Sequence, residues 1–247
     1  MKAEDLNVPT SDRRRSQDGI SLVEITLMMF MVALTVVVVL KGQELIFGAR
    51  AKAMLSQTEQ IKVAFLGFQD RFRALPGDYR DAPAVIREVT YHGDGSGRID
   101  LAGTATGPTG VAEEDLLVWD HLTKSGFLPG SYSYLPTNQQ AGVPKNAFGG
   151  YVGLAFDFDY GDPTAPAPPQ RHLIKTGNQV PVQFLAEMDR KIDDGNALRG
   201  SFQFSTHAYW GAAPIGPPSA NGCTDASGNW RVATSSPPVN CGAASLM

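Results

Sequence analysis

An uncharged stretch runs from Ile25 to Leu40 and is apolar apart from two threonines. Counted from Ile20, and interrupted only by Ser21 and Glu24, it approaches the ~20 residues a membrane-spanning helix needs. Arg13, Arg14 and Arg15 lie just before it. Positive charge stays on the cytoplasmic side of a membrane, so this pattern predicts export of everything after Lys41. Beyond Lys41 no proline occurs until Pro76, and Ile61, Phe65, Phe68, Phe72 and Leu75 recur at spacings of three and four. That is one apolar stripe on a helix, with Lys62, Gln69, Asp70 and Arg73 between its members. The pattern predicts a single helix over 20–75, with 20–40 in the membrane and the end at Leu75–Pro76–Gly77. An anchor followed by a separate first helix of a periplasmic domain fits the amphipathic half equally well.

Four further elements follow. "EEDLLVWDHLTKSGFLPGSY", 113–132, reads as a short amphipathic helix carrying Leu116, Leu117, Trp119, Leu122 and Phe127, with Gly126 as its cap. "AFGGYVGLAFDFDY", 147–160, reads as a strand or hairpin arm, ended by the Pro-rich loop "GDPTAPAPPQ". "HLIKTGNQV" is a strand and turn. "PVQFLAEMDRKIDDGNALRGSFQFS" is a helix leading into a strand, with Pro181 at its start and Gly195 past its end. From Pro214 to Met247 the chain is rich in Gly, Pro, Ser, Ala and Asn and reads as loop. The predicted class is α+β: a long N-terminal helix packed on an antiparallel sheet, with a loop-rich C-terminal region.

Composition narrows the picture. A chain of 247 residues suits one domain, or one domain plus an appendage. Net charge −4 argues against a nucleic-acid binder, which carries a basic face. The only cysteines are Cys223 and Cys241, both in the C-terminal region. An isolated pair there suggests one disulfide and an oxidising compartment, with two free thiols as the alternative.

Glu24 decides between explanations of the apolar stretch. A secretory signal needs a small-residue cleavage site after it, and "LKGQELIF" offers none. A twin-arginine signal continues into an apolar start, whereas here "SQDG" follows the arginines. A plain anchor leaves Glu24 unexplained, because a carboxylate in hydrocarbon costs up to ~3 kcal/mol on insertion scales and demands a partner. The stretch "RRRSQDG–ISLVEITL" resembles the class III signal of type IV pilins and pseudopilins. The resemblance implies cleavage by a prepilin peptidase between Gly19 and Ile20, which makes 1–19 a cytoplasmic leader. It further implies N-methylation of Ile20, and a role in filament assembly for Glu24 at the fifth mature position. Ile20 and Glu24 are four apart and share a helix face, so a terminal amine can neutralise the carboxylate, in its own chain or a neighbour. The first mature residue departs from the usual Phe or Met of the family, and the helix has Gly42 where many pilins have a proline.

The phrases "ALPGD", "W-x-H-L" with "G-x-L-P-G", and "KIDDG" resemble a subset of pilin-like proteins, and the cysteine-bounded tail resembles the disulfide region of type IV pilins. The function implied is that of a structural subunit of a type IV pilus or related filament. It would be held in the bacterial inner membrane as a single-pass protein and then polymerised. Partners would be copies of itself, other pilins, the prepilin peptidase and an inner-membrane assembly platform. A type II secretion pseudopilin is the alternative, and a membrane-anchored periplasmic enzyme or binding domain a further one.

Candidate chemistry is sparse. "YHGDGSGRID", 91–100, places Asp94, Ser96, Arg98 and Asp100 at alternate positions, which faintly resembles a calcium loop. His92 stands where its first Asp belongs and Gly103 where its closing Glu belongs, so a Gly-rich turn is the plainer reading and no metal is expected. Trp119 reads as core, and His121 beside it as a satisfied or exposed side chain. Asp189, Asp193 and Asp194 could serve acid–base chemistry or hold a cation, but turn formation suits them better. His92, His121, His172 and His207 are scattered, and no catalytic signature appears. No cofactor and no enzymatic activity are expected.

Overall fold

The computed structural model describes residues 21–101, 105–107, 110–208, 217–233 and 236–247. The leader and the Gly19–Ile20 junction lie outside the described residues. The chain divides into two units, 1–46 and 47–247.

Helix α1, Leu22–Phe72, begins in the first unit. From Leu22 to Leu40 every side chain is exposed. A helix that is apolar on all faces belongs in lipid or among other helices, and this one is long and apolar enough to cross a bilayer. The two threonines between Leu22 and Leu40 suit that setting, because each hydroxyl donates to its own backbone: Thr26 Oγ1 to the Val23 carbonyl at 2.9 Å and Thr35 Oγ1 to the Val32 carbonyl at 2.8 Å. Neither hydroxyl then needs water.

In the second unit α1 becomes one-sided. It buries Ala51, Met54, Thr58, Ile61, Ala64, Phe65 and Phe68, so the apolar stripe read from Ile61 onwards starts ten residues earlier. The helix stops sooner than the periodicity predicts. Arg73 takes a left-handed φ of 55°, and its N–H bonds the Gln69 carbonyl at 2.9 Å. Pro76 disfavours helical backbone in the residue before it, which keeps Leu75 out of the helix. Leu75 is buried nonetheless, within the turn rather than on the stripe.

Short elements separate the main ones: α2 (Ala82–Val85), a hairpin of β1 (Ala105–Gly107) and β2 (Gly110–Ala112), and a 3-10 turn at Gln139–Gly142. Helix α3 (Glu114–Lys124) ends where Gly126 adopts a φ of 81°, as its sequence predicts. Strands β3 (Gly153–Asp157) and β4 (Arg171–Lys175) pair antiparallel around the Pro-rich loop. Helix α4 (Val182–Ile192) follows Pro181 and precedes β5 (Phe202–Phe204). A short helix α5 (Ala220–Cys223) opens the tail.

The tail is not all loop. Its last residues form β6 (Ala243–Leu246), which lies inside the sheet, in the order β3-β4-β6-β5. Leu246 faces Leu173 of β4, and Ala243 faces Phe204 of β5, all antiparallel. Small and polar residues in a four-residue run give no strand signal on their own. Tertiary pairing makes this strand.

Two large clusters and a small one, Tyr160 with Leu173 and Ala244, form the core of this unit. The first joins Ile61, Phe65 and Phe68 of α1 to α3, with Leu154 of β3 and Ile174 of β4. The second joins Ala51 and Met54 of α1 to α4, β5, Trp230, Ala243 and the two cysteines. Cys223 and Cys241 form a disulfide, buried at the centre of that second cluster.

Candidate functional site

Glu24 sits in the first turn of α1, exposed and flanked by exposed apolar side chains. No described residue hydrogen-bonds or ion-pairs with its carboxylate. An unpaired carboxylate within an apolar helix marks the position where a cationic partner gains most.

The loop that faintly resembles a calcium site folds differently from a linear ligand series. Asp94 meets Asp78 and Glu114, which come from the turn after α1 and from the start of α3. Their oxygens lie within 4.8 Å of one another. Backbone donors already engage them. Asp78 accepts the N–H groups of Ser96 (2.9 Å) and Gly97 (2.8 Å), and Glu114 accepts those of Asp94 and Asp100, each at 3.0 Å. Asp94 also accepts the Ser96 N–H at 2.8 Å. The loop passes so close that a Cβ on Gly93 would stand 2.2 Å from the Asp78 Cα. The remaining lone pairs of the three carboxylates could meet a hard cation, but the donors present tie the loop by themselves. Ser96 contributes its N–H, and Arg98 turns away to lie over the Phe156 ring at 5.3 Å.

Burial pushes the Glu114 carboxyl up to about 7, against the two backbone donors, and raises Asp78 as well. Burial acts the same way on Asp94, but the Ser96 and Asp78 hydrogen bonds outweigh it and hold that carboxyl below its ordinary range. The raised Glu114 value fixes a sign. The folded state holds the proton more tightly than the unfolded chain, where the group titrates near 4.5. Its contribution is therefore full below pH 4.5 and lost as pH rises to about 7. Glu114→Gln should gain on the wild type between pH 5 and pH 8 when denaturation midpoints are compared. A difference that stays constant over that range would mean that Glu114 is ionised throughout.

His121 is fully buried and satisfied at both ring nitrogens. Nδ1 accepts the Gly77 N–H at 2.9 Å, so Nε2 carries the proton and donates to the Tyr91 carbonyl at 3.0 Å. Gly77, at a φ of 89°, is the glycine of the "LPGD" turn. The histidine thus fastens α3 to the turn that follows α1. Burial pushes it down to about 4, so it stays neutral at physiological pH. Trp119 is core, as expected.

Asp189, Asp193 and Asp194 serve the turn after α4. Asp193 accepts from the N–H groups of Ser201 and Phe202, and Asp194 from Asn196 at 2.8 Å. Asp189 reaches further: it accepts the Trp230 indole N–H at 2.7 Å and the Gly195 N–H at 3.1 Å. The link to Trp230 spans 41 residues and has no local sequence signal.

A buried charge cluster also escapes sequence reading. Lys175 of β4 is almost fully buried, with its ammonium against Asp157 and 3.4 Å from Asp159. Asp159 additionally accepts from Ser205 Oγ (2.9 Å), Thr206 Oγ1 (2.7 Å) and the Thr206 N–H (3.0 Å). Burial opposes its charge, but Lys175 and these donors outweigh burial and hold Asp159 below its ordinary range. Ser205 hydrogen-bonds the aspartate directly and accepts the backbone N–H of His207 at 3.2 Å. Asp157 ends β3 and Asp159 lies two residues past it, and the lysine in "HLIK" is the sequence's hint of a counter-charge.

No protein-family model, curated protein or solved structure matches the chain.

Proposed function

We propose that this chain is a prepilin: a structural subunit of a type IV pilus or related filament, held in the inner membrane until polymerised. The observation that carries the reading is Glu24, an unpaired carboxylate in the first turn of an exposed apolar helix, four residues after the candidate mature N-terminus Ile20. A charge in that position is costly for a simple anchor and useful for a helix that receives an amine on assembly. Further support comes from the continuation of the same helix into a disulfide-bonded α+β unit. Gly19 supplies the small residue before the cut, and Ile20 the amine that is methylated. The partners are other copies of this chain, related pilins, the prepilin peptidase and an assembly platform.

A secretion pseudopilin uses the same features and differs in where the filament ends. Shearing cells and comparing this chain in the fibre fraction with the membrane fraction tests the proposal. A pilus subunit enriches in sheared fibres, and a pseudopilin forms periplasmic fibres that reach the surface on overexpression. A chain that stays wholly in the membrane fraction under both conditions is an anchored domain, and the proposal fails.

A further inference from the structure

We infer that the outer half of the sheet, β6 with β5, closes only on oxidation of Cys223 and Cys241, while the body around α1, α3 and the β3–β4 hairpin folds without it. Strand order carries the first part. In β3-β4-β6-β5 the strand β5 joins the sheet through β6 alone. If β6 leaves, β5 loses its only strand partner among the described residues. Yet β6 consists of three small or polar residues and one leucine. It has little apolar area with which to hold itself in place.

What holds it is adjacent. Cys241 lies two residues ahead of β6 and exchanges both backbone hydrogen bonds with Val180, at 2.9 and 3.1 Å. Gly242 follows, and its carbonyl accepts the Ser205 N–H at 3.1 Å just past β5. The disulfide thus fixes the entry point of β6 between β4 and β5. Its other end, Cys223, terminates α5 and receives the Arg231 N–H at its carbonyl, beside Trp230. The indole of Trp230 in turn donates to Asp189 of α4. Oxidation therefore ties α4, the tail loop and β6 into one set.

The division of the core carries the second part. Both cysteines, Trp230, Ala243, β5 and α4 belong to one cluster. The cluster that holds Ile61, Phe65, Phe68, α3, Leu154 and Ile174 contains none of them. The first body therefore keeps most of its apolar contacts when the bridge is open, giving up Met247 just past β6 and the contact of Ala244 with Leu173. Closing a loop of 18 residues' separation constrains the open chain by an amount equivalent to roughly 100-fold in the closed-to-open ratio. A strand as weak as β6 is within reach of a factor of that size. The cysteines are buried once β6 is seated, so the closed form shields its own bridge from reductant. Reductant reaches the bridge when β6 opens.

Hydrogen exchange of the full chain in detergent tests this, with the double variant Cys223→Ser, Cys241→Ser beside the oxidised wild type. Expected is a loss of protection of about 100-fold in residues 202–205 and 243–247 together, with α3 and the β3–β4 pairing within a few-fold of wild type. Unchanged protection in 243–247 would overturn the inference. So would loss in β6 with β5 retained, since that removes the coupling. An equal collapse of α3 would overturn it too, since the body would then depend on the bridge. A second measurement avoids any effect of the serines. Wild-type protein is treated with reductant under native conditions, and thiol alkylation should rise with the same time course as exchange in β5 and β6.

Discussion

Glu24→Ala is expected, on the proposed prepilin reading, to leave processing and the 47–247 unit intact while reducing this chain's share of fibres by about ten-fold, the equivalent of ~1.4 kcal/mol of lost pairing. The residue is exposed, it lies outside the folded unit of 47–247, and none of the described residues pairs with it. Its removal therefore breaks no internal contact. In hydrocarbon the carboxylate is a cost of up to ~3 kcal/mol, so Glu24→Ala should insert at least as well as wild type. The loss comes at assembly, where a terminal amine meets an apolar helix with no counter-charge. Glu24→Lys should assemble worse than Glu24→Ala, because it repels the amine it should attract. The readout is the ratio of this subunit in sheared fibres to that in membranes. Assembly of Glu24→Ala at wild-type level would remove charge pairing from the account.

Lys175→Met should destabilise the 47–247 unit by about 3–5 kcal/mol, the range for breaking one side of a buried ion pair. Asp157 is buried and Asp159 half-buried, and the ammonium is the only described cation against them. Removing it strands two carboxylates, one of them anchoring Ser205 and Thr206 just after β5. The exposed pairs provide the contrast. Lys191–Glu187, at 46% and 45% side-chain exposure, and Lys41–Glu44, at 74% and 70%, should cost under ~1 kcal/mol when broken. Adding Asp157→Asn to Lys175→Met should recover part of the loss, because one stranded charge is gone. Denaturation midpoints of the detergent-solubilised protein would decide. A cost below ~1 kcal/mol for Lys175→Met would show that water reaches the cluster and screens it.

The helices were legible because their signals are local. The uncharged run, the three-and-four spacing from Ile61 and the Pro181 and Gly195 punctuation are written into consecutive residues. The end of α1 was misjudged because Leu75 continues the spacing while the backbone has already turned at Arg73. Strand β6 was missed because nothing in Ala243–Leu246 alternates, and its hydrogen bonds belong to strands far away in sequence. The same holds for the polar clusters. Asp94 looked like part of a ligand series along one loop, and its companions Asp78 and Glu114 arrive from 16 residues before it and 20 after. Lys175 carries no partner within its own strand sequence, and only the fold brings Asp157, at the end of β3, and Asp159, beyond it, against the ammonium. His121 could be assigned a bland role from its setting. Its two specific bonds, to Gly77 and Tyr91, needed the fold.

The central claim is that the apolar helix stays with the mature protein and begins at a processed amine. Intact-mass measurement of the chain extracted from membranes of a strain with a prepilin peptidase tests it directly. The predicted mass is that of residues 20–247 with the Cys223–Cys241 bridge closed and one methyl group on the Ile20 amine. A chain that still carries Met1, or one cut beyond Lys41 and lacking the helix, would contradict the account.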